Sequence, residues 1–158
     1  MKTATINLYQ FNELSDEAKE RAREWWRDGL EYHWWKESEG SFKAFCDHFG
    51  VKIKDYSIGV YKPSYLDTDA ENAHFRGIRL AAFTRDAMPT GYCLDCALWQ
   101  TFYDEFKRTG SALKAFNEAI DAAVIEVRDD MEYQYSDEAV DEMLTINEYD
   151  FTEDGKVY

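Results

Sequence analysis

A chain of 158 residues with 45% hydrophobic and 16% aromatic content can bury a real core without disulfides or a metal, which excludes a disordered acidic tail. Three cysteines exclude a fully paired secreted framework, and two prolines leave no material for a rigid Pro-rich linker. A net charge of −14 opposes direct contact with nucleic acid phosphates and with anionic lipid, so the expected partner is a protein with a neutral or basic surface.

The charge is unevenly spread. Residues 1–116 hold 16 basic and 18 acidic residues, whereas 117–158 hold 2 and 14, so the last quarter carries −12 of the total. No apolar stretch follows Met1-Lys2-Thr3, and no run of about 18 apolar residues occurs, which reads as neither signal peptide nor membrane span and as a cytoplasmic protein.

In chain order, the alternation over Thr3 to Phe11 predicts a half-buried strand. Ser15 is placed to cap a helix running to about Lys36, with Asp16 and Glu17 in its first turn. The doublets Trp25-Trp26 and Trp34-Trp35 strain that reading: at about 100° per residue, Trp25 and Trp34 lie on opposite sides of a straight helix. Either the helix bends near Gly29 or an indole is exposed. Buried core is the expected place for the four rings, and a partner-binding surface is the alternative.

A second helix is predicted over Glu37 to Phe49, stopped by Gly50. Val51 to Tyr61 switches its apolar side at Asp55, which predicts a strand with a bulge or a change of face. Lys62 to Phe75 reads as a loop and Arg76 to Phe83 as a further strand. Leu94 to Arg108 carries a helical apolar stripe ending at Gly110. Ser111 then caps the longest helix, on which Leu113, Phe116, Ile120, Val124, Val127 and Met131 recur at three and four. Ser136 opens a short helix with Ala139, Val140, Met143 and Leu144 inside, and the end reads as a strand with an Asp-Gly turn. These elements predict one α+β domain over residues 1–158: a small, mainly antiparallel sheet packed against several helices, with the helix near 111–133 at the centre.

Catalytic constellations fail on spacing. Cys46-Asp47-His48 with Cys93 and Cys96 supplies the ligand types of a zinc shell and partly resembles the zinc deaminases. Yet no glutamate lies two residues after His48, and Cys46 and His48 point about 200° apart on a helix. Buried or incidental cysteines are the simpler reading, so neither metal, cofactor nor enzyme activity is expected. What remains is the acidic surface. Glu118, Asp121, Asp129, Glu132, Asp137, Glu138, Asp141 and Glu142, carried on two successive helices, can imitate the phosphates that basic grooves read. A plain solvated face is the bland alternative.

At Tyr9-Gln10-Phe11-Asn12-Glu13-Leu14-Ser15-Asp16-Glu17-Ala18-Lys19, at Thr90-Gly91-Tyr92-Cys93 and at Asn147-Glu148-Tyr149-Asp150-Phe151-Thr152-Glu153-Asp154-Gly155-Lys156, the chain resembles a family of small phage and prophage proteins often labelled antitoxins of toxin–antitoxin stability systems. The resemblance implies a mobile-element origin and brings no catalytic residues with it. Small acidic phage proteins include inhibitors of CRISPR and restriction systems, some of them DNA mimics, and this makes a host nucleic-acid-handling defence complex the expected partner. Toxin neutralisation through Trp25, Trp26, Trp34 and Trp35 is the rival expectation.

Overall fold

The computed structural model describes Met1–Tyr158, and its contacts gather into two compact units. The fold is α+β, with helices α1 (Asp16–Asp28), α2 (Trp35–His48), α3 (Leu94–Thr109), α4 (Ala112–Gln134) and α5 (Asp137–Ile146), and strands β1 (Ile53–Ser57) and β2 (Tyr65–Thr68).

The first unit joins Met1–Tyr32 to Tyr133–Tyr158. Ser15 and Ser136 cap α1 and α5 as their spacing predicts, each accepting a 3.3 Å hydrogen bond from the backbone N–H three residues on. Small residues on α1, Ala18 and Ala22, let α5 approach closely with Val140 and Leu144, and Phe11, Leu14 and Phe151 complete the core. Met143, expected inside, is instead 39% exposed. Neither predicted terminal strand forms: Tyr9 and Phe151 make one isolated antiparallel bridge, and Phe151 and Val157 another. Alternating side chains cannot hold a strand where the ladder has no further partner to pair with.

The second unit is His33–Glu132. α1 ends at Asp28, so no helix runs on to Lys36; Gly29 is its C-cap, and α2 starts afresh at Trp35. The break resolves the opposed Trp doublets, but not by burial. Trp25 is 42% and Trp34 53% exposed, and Trp26 and Trp35 are only half-buried. The indole that does enter a core is Trp99, and the expected burial of the doublets is corrected.

That core is aromatic. Phe45 stacks on Phe116 at 5.1 Å and meets Trp99 and Phe102 edge-on, while Phe49, Phe75 and Phe83 close around them. α4 joins it through Phe116, and of the stripe expected on the longest helix Phe116, Ile120, Val124, Val127 and Met131 are buried while Leu113 is only half-buried. β1 and β2 form the whole sheet, antiparallel, with the irregularity between Ile53 and Asp55 where the sequence changes face. Two sequence expectations fail here. The segment read as a loop contains β2, anchored by buried Leu66, and Arg76 to Phe83 is no strand but irregular chain with a 3-10 turn at Leu80–Ala82. Phe75 and Phe83 enter the aromatic core instead of pairing along a ladder.

Candidate binding surfaces

The acidic residues separate by what they touch. In the first unit, Arg23 meets Asp141 through two hydrogen bonds of 2.7 and 2.8 Å, a bidentate fork between α1 and α5. Arg27 pairs with Asp137 and donates to the Tyr135 carbonyl at 2.9 Å, and both arginines also reach Glu20. The Arg23 guanidinium titrates above its ordinary range, chiefly because of its hydrogen bonds to Asp141. Asp137 and Asp141 therefore form a clasp between α5 and α1, although the Asp137 side chain stays 64% exposed. Glu138 and Glu142 are exposed and unpaired beside them. Since the fork is charge-assisted and partly buried, Asp141→Asn should lower stability by about 1–2 kcal/mol, less at high salt. Urea denaturation at two ionic strengths measures this, and an unchanged midpoint at low salt would refute the clasp.

On α4 the picture differs. Between Ala112 and Glu132 the helix carries six carboxylates and only Lys114 and Arg128 as basic residues. Glu118, Asp121, Asp129 and Glu132 all lie exposed within about 60° of one line along its outer side. Arg128 bonds Asp129 at 2.8 Å and approaches Glu132 at 3.8 Å; Glu118 and Asp121 make no ion pair. Asp121 is held above the usual carboxylate range by reduced hydration and then by Glu118, and Glu126 likewise by reduced hydration and Asp130. Among them Ile125 stands 48% exposed, an apolar side chain with carboxylates one turn to either side. Periodicity marks the acids, whereas an exposed isoleucine breaks no pattern and sends no signal of its own.

The weak zinc set does not assemble. Cys46 is buried, its thiol pushed up to about 12 by burial and then by Asp47 and Asp69, so it is neither a ready ligand nor a nucleophile. Cys93 and Cys96 are exposed, His48 packs against Phe49, Phe83 and Trp99, and no group of three or more His, Cys, Asp or Glu side chains is placed to hold a metal. The Thr90-Gly91 segment serves the fold. Fully buried Asp95 accepts from Thr90 N, Thr90 Oγ1 and Gly91 N at 2.8–3.0 Å and ties the turn to the start of α3.

Two further surfaces are visible only in three dimensions. A groove of about 430 Å³ opens between α2 and the hairpin, with Trp35 and Tyr56 tilted against each other at 5.1 Å and Phe42, Cys46 and Leu66 among its lining. In the first unit, Tyr149 joins Trp25 and Trp26 across the sequence, with ring centroids 5.3 and 6.1 Å away. No helix is long and apolar enough to cross a membrane. The chain matches no protein-family model, and no curated protein or solved structure shows significant similarity to it.

Proposed function

We propose that the protein is a non-enzymatic, cytoplasmic inhibitor of phage origin that covers a basic surface of a host nucleic-acid-handling defence complex. The observation that carries this reading is the outer face of α4, where Glu118, Asp121, Asp129 and Glu132 surround exposed Ile125. From Glu118 to Glu132 the helix rises about 21 Å, the length of roughly six base-pair steps, so a groove built for a phosphate backbone meets charge over a comparable distance. The isoleucine adds what phosphates lack, an apolar contact that excludes water at the centre of the patch.

The test is a pull-down from host cells at about 50 mM salt, with elution at about 0.5 M salt and, separately, by duplex DNA. A retained protein released by both, and absent when the bait carries Glu118→Lys and Asp121→Lys, is the expected result. Retention by that double variant would overturn the α4 reading. Asp137 and Asp141 are unsuitable for charge reversal, because they pair with Arg27 and Arg23 and their loss would change stability as well as surface charge. The second reading, an antitoxin that neutralises a toxin by protein–protein contact, draws on the exposure of Trp25 and Trp34 and would appear as binding indifferent to salt and lost on substituting those indoles.

A further inference from the structure

In the first unit three rings from distant parts of the chain form one cluster. Trp25 meets Tyr149 at 5.3 Å and 80° and Trp26 at 6.3 Å and 60°, while Trp26 and Tyr149 stand 6.1 Å apart. Trp26 and Tyr149 rest on the core of Phe11, Leu14, Val140, Leu144 and Phe151, so the outermost ring, Trp25, is held from behind and still 42% exposed. Tyr149 is brought there by an unusual backbone. Glu148 adopts φ +51°, the only non-glycine residue with positive φ, which turns the chain sharply as α5 ends.

The surroundings of this ring are strongly negative. The first unit holds 6 basic and 15 acidic residues, a net −9, against 12 and 17 in the second. Along α1, Asp28 follows Trp25 by one turn and Glu24 precedes it, and Glu148 sits next to Tyr149; none of these carboxylates makes an ion pair. The arginine one turn before Trp25, Arg21, is already engaged by Glu17 at 3.2 Å and Asp154 at 3.7 Å. An exposed indole that is backed by two rings, on a unit of net charge −9 with unpaired Glu24, Asp28 and Glu148 close to the cluster in sequence, presents the two attractions a cation over an aromatic ring needs.

We infer that Trp25, backed by Trp26 and Tyr149, is a docking point for an arginine side chain of a partner protein, with the guanidinium flat on the indole and Asp28 or Glu148 receiving its N–H groups. Arginine fits better than lysine, because its planar, weakly hydrated head stacks on an indole and keeps its donors free at the edge. The surface is too acidic for a nucleic acid, whose phosphates it would repel. This inference rests on the reading of the protein as a binder of basic partners, but not on the α4 face, which belongs to the other unit.

The test titrates the full chain with acetyl-triarginine amide and, separately, acetyl-trilysine amide while following the indole N–H resonances. The expected result is a saturable shift of the Trp25 indole, tighter for triarginine by about fivefold, and a loss of about fivefold on Trp25→Ala that Trp25→Tyr largely restores. Equal affinity for the two peptides, or binding unchanged by Trp25→Ala, would overturn the arginine site. Peptide binding abolished by Glu118→Gln with Asp121→Asn, while Trp25→Ala has no effect, would overturn it and leave the α4 reading standing. Retention of the Trp25 shift in that double variant supports the inference even if the α4 pull-down fails.

Discussion

Replacing Gly155 by alanine is expected to cost about 3 kcal/mol or more and to disorganise the first unit. Two independent reasons converge there. Gly155 has φ +83°, which an alanine adopts only with strain, and a Cβ at this position would lie 2.1 Å from the Ala18 carbonyl oxygen and 2.8 Å from its carbon. The obstacle is helix backbone, not the tip of a flexible side chain, so one element must move. The turn that Gly155 closes, with its N–H donating to Thr152 O, is the one that returns Val157 to Phe151, itself fully buried against Phe11. Displacing it uncovers the core beneath Trp26 and Tyr149. A large fall in the urea midpoint, with loss of near-ultraviolet ellipticity, is the expected reading; a variant as stable as the parent would mean that the C-terminal turn does not press on α1.

Phe45→Ala should be comparably damaging in the second unit, by about 3–5 kcal/mol. Phe45 is fully buried and central to the ring cluster, touching Phe49, Trp99, Phe102 and Phe116 at centroid distances of 4.9–6.0 Å. Deleting it leaves a cavity lined by rigid rings that cannot collapse inward, so the lost transfer energy is joined by lost dispersion contacts. Phe45→Leu, which refills part of the volume, should cost about half as much. Denaturant titration of the three proteins checks the order, and equal stability of Phe45→Ala and parent would contradict an aromatic core.

The two variants also bear on function. The proposed α4 face is built on the aromatic core, and the Trp25 surface on the core of the α1 and α5 unit. Each surface is as well positioned as the core behind it, because exposed side chains hold their geometry only when the residues facing inward are fixed.

Much of the helical structure is legible in the sequence. Ser15, Ser111 and Ser136 mark helix starts, Gly50 and Gly110 mark stops, and the three-and-four spacing from Phe116 to Met131 marks the buried side of α4, because caps and periodicity are local properties of neighbouring residues. The same periodicity places Glu118, Asp121, Asp129 and Glu132 outside. Strands are the weak point: the alternation of Thr3 to Phe11 and of Arg76 to Phe83 forms no strand, since a strand exists only where another pairs with it, and pairing is not a local property.

Which charges and rings stay available is a matter of long-range packing. Asp137 and Asp141 follow the same helical rule as Glu138 and Glu142, yet the first two are claimed by Arg27 and Arg23 more than 100 residues away in the chain. Trp25 reads like Trp99 in composition, yet Trp99 is buried and Trp25 stands out beside Tyr149. Local sequence thus sets the helices and the sign of the surface. Contacts between distant segments select the carboxylates that serve the fold and those left unpaired in solvent, because the energy of a charge or a ring depends on the groups packed against it.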